Sequence, residues 1–324
     1  MAQLVKKIRT EQGDLQIDYN ALANLPTTDA TLAVSGKAAD AKTVGDSLNN
    51  INTNLSNFSN PNLLINSDFR NPVNQRGATS YESKTSGKDV YNIDRWRASY
   101  GTITTVNNGS ITVAGNTASN RYFYQTFEHK LSGTFTLSFN ITNLQGNISM
   151  YYAYGDTGSQ TVNIPTGTTK MTFTATNLKS VGFFLPKTNG VSATIEWAKL
   201  EFGSMATPFT PRPYAEELML CQRYYQIIDF ICSPGFASAS DEPNLVTFTT
   251  PCSLRAVPSI TIKKQPEILR VLSTNDVSTT LTFKSVHCKD NVCSITFSST
   301  ATLAARSFMW PIHEFKVEAD AEIY

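Results

Sequence analysis

Between residues 40 and 58 the chain is polar enough to read as a linker, yet its apolar residues fall at Ala41, Val44, Leu48, Ile51, Leu55 and Phe58, alternating three-residue and four-residue steps. A helix of 3.6 residues per turn keeps a seam of period 3.5 facing one partner only by supercoiling, so such a pattern needs other helices to bury it. Residues 38–60 are therefore expected to form a short coiled-coil stalk. With Ala41 as position a, Leu48 stands at a and Ile51 at d, a choice that favours three or four strands over two; the seam is read as a trimer. The competing reading is an amphipathic helix docked on its own domain, because the seam falls short of ~3–4 heptads and Gly45 weakens the helix by about 1 kcal/mol relative to Ala. The Asn and Thr residues on the remaining faces are too polar for a core, which favours the seam.

From Asn60 onward the period changes from helical to two. ITTVNNGSITVAG reads as a hairpin turning at Asn107, Asn108 and Gly109, and GTFTLSFNIT alternates Phe135, Leu137, Phe139 and Ile141 with polar partners. Further alternating runs occur at NISMYYAY, TKMTFTAT, VGFFLP and ATIEWAKLEF. Short strands with little helix, spaced by turn signals, predict a β-sandwich or jelly roll over residues 61–213, closed by the prolines of TPFTPRPY. AEELMLCQRYYQIID then reads as a helix, with Pro213 near its start, Glu216 and Glu217 in its first turn, and Leu218, Cys221, Tyr225 and Ile228 on one face. Strand patterns resume at LVTFTT, SITIKK, ILRVLS, TTLTFKSV, VCSITFSS and FKVEADAEIY, so residues 214–324 are expected to be a smaller domain of helix plus β-sheet. Residues 1–37, with short extended runs at LVKKI and LQIDY and breaks around Leu25-Pro26, hold too few apolar residues for a core and read as an attachment arm. The fold class is mainly β.

Composition narrows the partners. Over 324 residues, charged side chains make up 16% and the net charge is +1, which leaves no electrostatic footprint for nucleic acid. The start MAQLVKKIRTEQG lacks a signal-peptide h-region, and no run of about 18 apolar residues occurs, so membrane insertion is not expected and synthesis in the cytoplasm is. The cysteines, Cys221, Cys232, Cys252, Cys288 and Cys293, are odd in number and read mainly as buried thiols. Cys288 and Cys293 flank the turn KDNV and can face each other across a hairpin. His287 lies beside them, but no second ligand pair completes a metal site.

The order of YNALANLPTTDATL, ADAKTVGDSL, NLLINSDF…NQRG…DRWR, WAKLEFGSMATPFTPRPYAEELMLCQRYYQ and AEIY resembles tail-fibre, baseplate and other appendage proteins of bacteriophages and prophages infecting Gram-positive and gut bacteria. The resemblance covers nearly the whole chain, and its most specific pieces are Asp94–Arg97 and residues 200–225. It implies a homotrimeric virion protein: an N-terminal arm that contacts other virion proteins, a helical stalk, a carbohydrate-module-like jelly roll and a C-terminal β domain. Head fibres and tail fibres share such modules, so the position on the particle stays open.

Enzymatic activity is not expected. Glycoside hydrolysis needs two carboxylates about 5–9.5 Å apart in a groove, and the acids from Asp68 to Glu201 are few. Asp94, beside Arg95, reads as part of a fixed salt bridge or turn, and Glu196 as an outward residue beside an inward Trp197. His129, His287 and His313 have no spacing of a triad or metal site, and no cofactor is implied. Binding of a bacterial surface glycan fits better, since it uses aromatic platforms with a few amides and hydroxyls. NISMYYAY sends Tyr152 and Tyr154 to one face and Tyr151 to the other, and either face can be the core; these tyrosines and Trp310 are the binding candidates. Trp96 and Trp197 read as core aromatics. Three weak sites on one trimer raise avidity by about 10²–10⁴ without any new contact.

Overall fold

A computed structural model describes residues 7–10, 13–16, 28–29, 38–57, 59–84, 86–115, 121–188, 190–230, 235–239, 242–250, 252–264, 268–271, 277–278, 280–289, 292–300, 308–311 and 315–323. The chain divides into two compact units, Met1–Ser59 and Asn60–Tyr324. In the first, β1 (Lys7–Thr10) pairs antiparallel with β2 (Gly13–Gln16), and β3 (Thr28–Asp29) pairs with β4 (Ala38–Ala39). The heptad pattern is helical: α1 spans Ala41–Asn57. Asp40 caps it, its carboxylate accepting the Thr43 backbone N–H at 2.9 Å. Within one chain Leu48 and Ile51 are 54% and 53% exposed. Phe58 and the Leu55 side chain lie outside the described residues.

The second unit is mainly β and antiparallel. Its first block holds β5 (Ser80–Glu82), β6 (Val90–Tyr91), β7 (Trp96–Ala98), β8 (Thr102–Asn107), β9 (Ser110–Gly115), β10 (Arg121–Gln145), β11 (Ser149–Tyr154), β12 (Gly158–Asn163), β13 (Lys170–Leu185) and β14 (Ser192–Phe202). They form one sheet in the order β12-β11-β13-β10-β14-β9-β8-β5, with β7 also on β10 and β6 on β7. Register shifts between Thr126 and Gly133 break β10 into two halves. The first half pairs with β7 and the end of β13, the second with the start of β13 and with β14. The sheet thus folds back on itself as two layers. Their inward residues share one core: Trp96, Phe123, Met150, Val181 and Phe183 from one layer, and Ile111, Val113, Phe135, Leu137, Phe139 and Leu200 from the other. Phe139 meets Phe183 edge-on across the layers at 5.7 Å.

The second layer has a polar outer face, as the alternation in GTFTLSFNIT requires. Thr136 and Thr172 share a hydrogen bond at 3.1 Å, as do Thr134 and Thr174 at 3.2 Å. Residues 203–210 run over part of this face and seal it. Lys199, 1% exposed at its side chain, donates to Thr207 Oγ1 at 2.6 Å and to the Pro208 carbonyl at 3.0 Å, while buried Glu201 accepts from the Thr207 N–H and hydroxyl. Burial lowers the Lys199 pKa against the opposing pull of Glu201.

The remaining elements are α2 (Tyr214–Gln222), β15 (Tyr225–Phe230), β16 (Gly235–Ala239), β17 (Glu242–Thr249), β18 (Ser259–Lys264), β19 (Ile268–Val271), β20 (Val277–Ser278), β21 (Leu281–Lys289), β22 (Val292–Ser299), β23 (Phe308–Pro311) and β24 (Phe315–Asp320). They build a three-stranded sheet, β15-β24-β18, and a seven-stranded one, β20-β19-β23-β16-β17-β22-β21. Ile260, Ile295, Phe297, Phe315 and Val317 make their common core.

Several expectations change. The helix begins after Pro213 as expected but ends at Gln222, and Tyr225 and Ile228 belong to β15. The run YQIID is aromatic and β-branched, and pairing with Lys316–Asp320 satisfies its backbone better than another helical turn. The boundary expected between residues 213 and 214 is bridged by buried contacts, and Asn60–Tyr324 is a single compact unit. Trp197 is half-buried rather than in the core: Glu196 is an extra residue between the pairs Asn140–Trp197 and Ile141–Ile195, and Trp197 stacks on Phe209 at 4.7 Å. Cys288 and Cys293 face each other across the β21–β22 hairpin and form a disulfide.

Candidate functional site

The two faces of β11 resolve the tyrosines. Tyr152 pairs with Val181, a core residue, and is 6% exposed; its ring stacks on Phe173 at 4.5 Å, and its hydroxyl donates to Gln160 at 2.8 Å. It is therefore a core residue and not a surface platform. Tyr154 is half-buried beside it at 5.8 Å, packed against the same core.

Tyr151 points outward, and it is not alone there. Cross-strand register puts Tyr124, Gly182 and Tyr151 side by side on neighbouring strands, with Arg97 next to Tyr124 and Tyr91 next to Arg97. One step along, Tyr122 pairs with Phe184. The rings touch: Tyr122 lies 4.7 Å from Tyr151 and 5.1 Å from Phe184, and Tyr124 meets Tyr151 edge-on at 5.5 Å. Gly182 leaves the space they lean over, since a Cβ there would lie 2.2 Å from the Phe123 carbonyl oxygen and 2.5 Å from Tyr124 Cα. Tyr122, Tyr151 and Phe184 are half-buried, and Tyr124 beneath them is buried. Tyr124 donates its hydroxyl to Asp89 at 2.5 Å. Burial raises the phenol pKa of Tyr122, Tyr124 and Tyr151, so each keeps its proton at neutral pH and can donate a hydrogen bond. This is an aromatic surface with polar edges, where an outward sheet face ordinarily carries polar residues.

The other end of the same face is closed by the C-terminal block. Arg95 sits in a turn at φ 69°, a left-handed backbone that directs its N–H onto Glu322 Oε1 at 3.1 Å and its guanidinium onto Glu322 Oε2. The guanidinium also lies 3.6 Å from the Tyr224 ring centroid and donates to the Thr126 carbonyl at 2.7 Å. Asp94, fully buried, accepts from the Gln75 N–H at 2.7 Å and pairs with Arg76 at 3.3 Å rather than with its neighbour Arg95. Burial pushes the Asp94 carboxyl up to about 6, against the pull of Arg76. Desolvation opposes the charge on Arg76, but Asp94 and Glu322 outweigh it and hold its pKa above the ordinary value. Tyr91 donates its hydroxyl to the Ile323 carbonyl at 2.6 Å, and Arg255 donates to the carbonyls of Ala321 and Glu322. Asn66 holds the turn below: its amide donates to the Val73 and Asp94 carbonyls, and its backbone N–H donates to Glu217 of α2. Trp96, expected in the core, is there, stacked on Phe123 at 4.8 Å.

The chain matches no family model, and no curated protein matches it. Gln75 and Arg76 of NQRG, Asp94 and Arg95 of DRWR, Tyr224 and Tyr225 of the 211–225 run, and Glu322 nevertheless meet at one place in the fold.

The Trp310 side chain and all of His313 lie outside the described residues; the Trp310 backbone pairs with Arg270 in β19–β23. Among the described residues, no three His, Cys, Asp or Glu side chains are grouped to hold a metal ion, and no helix is long and apolar enough to cross a membrane. Sequence reading missed Tyr122, Tyr124 and Phe184 because RYFYQTF and VGFFLP place aromatic residues on both faces. The signal was Gly182, the cross-strand partner of Tyr124 and Tyr151, a glycine inside a strand pattern, which marks a close approach.

Proposed function

We propose that the chain is a homotrimeric bacteriophage appendage protein, a virion component held to the particle through residues 1–37, trimerised along Ala41, Val44, Leu48, Ile51, Leu55 and Phe58, and displaying a jelly roll that binds bacterial surface glycan. The observation that carries the binding role is the outward cluster of Tyr122, Tyr151 and Phe184, backed by the buried Tyr124. Rings of this kind stack on the apolar faces of sugars, while the Tyr122 and Tyr151 hydroxyls and Asp89 supply directional contacts. The half-exposed Leu48 and Ile51 support the seam, because an apolar stripe left open in one chain is buried by a second and a third. The resemblance to phage appendages agrees with both.

Fluorescent protein applied to permissive cells tests the binding role. Labelling that falls about tenfold or more in Tyr122→Ala and Tyr151→Ala, with melting temperatures preserved, is the expected result. Absence of labelling on every permissive strain, or labelling indifferent to both variants, overturns it. Light scattering tests the stalk: the full chain should have three times the mass of 35.6 kDa, and Leu48→Asp with Ile51→Asp should return it to a monomer.

A second reading, a capsid or baseplate component that contacts only virion proteins, draws on the junction at Arg95 and Glu322. There the residues that carry the phage resemblance hold the fold together rather than face a ligand. A depolymerase is the third, and it finds less support: Asp94 is buried in an ion pair, and Glu128 is held by Arg223 at 2.7 Å and Tyr224 at 2.9 Å.

A further inference from the structure

A groove of about 490 Å³ opens beside the junction. Gln75, Arg76 and Tyr81 line it from the first block; Tyr225, Lys263, Lys316 and Glu318 line it from the three-stranded sheet. Small-molecule clefts run from about 300 to 1,000 Å³, so one or two sugar rings fit by volume.

Its inner wall is fixed in advance. Arg76 lies 3.7 Å from the Tyr225 ring centroid and is tied to Asp94, with its side chain 12% exposed. The Gln75 amide donates to the Tyr225 carbonyl at 2.7 Å and to Asp94 at 3.2 Å, and the Tyr225 hydroxyl donates to Glu318 at 3.0 Å. Moving any of these groups disturbs the buried ion pairs, so a ligand meets a surface whose ordering is already complete.

The rim is different in kind. Lys263 and Lys316 have side chains 48% and 37% exposed, and their ion-pair partners are Glu318 and Asp229. Lys316 and Asp229 are both exposed, at 37% and 35%, and such a pair contributes only about 0–1 kcal/mol; Glu318 is 16% exposed and keeps the Tyr225 hydroxyl as a donor when Lys263 turns toward an anion on a ligand. Asp94, Glu322, Asp229 and Glu318 offset the local positive charge, so selectivity comes from the placement of the rim ammoniums rather than from net charge.

We infer that this groove is a second binding site, for a polyhydroxylated ligand bearing an anionic group: an acidic sugar or a polyol phosphate. The carbon skeleton lies against Tyr81 and Ile227, the hydroxyls meet Glu318 and Gln75, and the anion sits at the Lys263–Lys316 rim. The site is separate from Tyr122 and Tyr151 and does not depend on a glycan binding there.

Ligand-observed NMR on the full chain with glucuronic acid, glycerol 1-phosphate and glucose tests the inference. Binding of at least one anionic probe but not of glucose is expected, weakening at least tenfold in the Lys263→Ala, Lys316→Ala double variant and unchanged in Tyr151→Ala. Preference for glucuronic acid assigns the anion as carboxylate, and the reverse preference assigns it as phosphate. Equal binding of glucose, anion binding indifferent to the double variant, or no binding of any probe overturns the inference. Because both lysines are surface residues, their replacement leaves the melting temperature close to that of the parent, which separates loss of the site from loss of the fold.

Discussion

Arg95 and Glu322 lie 227 residues apart in sequence and form a buried ion pair in which one carboxylate receives both the backbone N–H and the guanidinium of the same arginine. Their side chains are 1% and 0% exposed. Removing one partner of such a pair leaves a charge in a medium that solvates it poorly, at a cost of about 3–5 kcal/mol. Glu322→Ala is therefore expected to lower the melting temperature sharply, measured by calorimetry. Hydrogen exchange in the same variant should show faster exchange in Phe315–Asp320, which is tied to the first block through this pair. A change below about 0.5 kcal/mol would mean that the pair does not hold the blocks together.

Asp94 gives a pH dependence of definite sign. Burial raises its carboxyl from 3.8 to about 6, so between those values the folded chain binds more protons than the unfolded one, and the stability contributed by this site falls as pH rises through that window. A tenfold difference in proton affinity between the two states corresponds to about 1.4 kcal/mol. Asp94→Asn keeps an acceptor for the Gln75 N–H and removes the titration. Thermal melts from pH 4 to 7 should differ in slope between parent and variant across this window and run parallel above it. Parallel curves throughout would place the Asp94 carboxyl near its ordinary value.

Gly182 carries the tightest steric demand of the aromatic face. A Cβ would lie 2.2 Å from the Phe123 carbonyl oxygen and 2.7 Å from Tyr124 Cβ, and the backbone atoms cannot give way as a flexible side chain would. Gly182→Ala should cost about 1–3 kcal/mol by overpacking and should shift the near-ultraviolet circular dichroism of the tyrosines. An unchanged spectrum and melting temperature would show that the strands pass farther apart at this point.

Much of the fold was readable from alternation. The hairpin at Asn107–Ser110 and the inward Phe135, Leu137 and Phe139 follow directly from it, as does α1 from its heptads. Alternation assigns two faces to a strand without saying which is the core. Only the pairing of Tyr152 with Val181 and of Tyr151 with Gly182 decides that, and those partners are about 30 residues away. Trp197 was misplaced by a single extra residue, Glu196, which inverts the sides of everything before it. The junction was hidden for a different reason. DRWR and AEIY each look like local charge and aromatic content, and nothing local tells Arg95 that its carboxylate is Glu322 rather than the adjacent Asp94.

The distance along the chain between those partners also sets a schedule. At about 5–20 residues per second, residue 322 is synthesised about eleven to forty-five seconds after Arg95. The two-layered block has its own core and can collapse in that interval. Until synthesis reaches Glu322, however, Arg76 has only Asp94 and Arg95 has no carboxylate partner, and the lower part of their sheet face stays open. Closing this end of the face is then the capture of a distant carboxylate by an arginine already held in place. A chain made only as far as the first block consequently presents an open, arginine-bearing sheet face that a chaperone or protease can recognise.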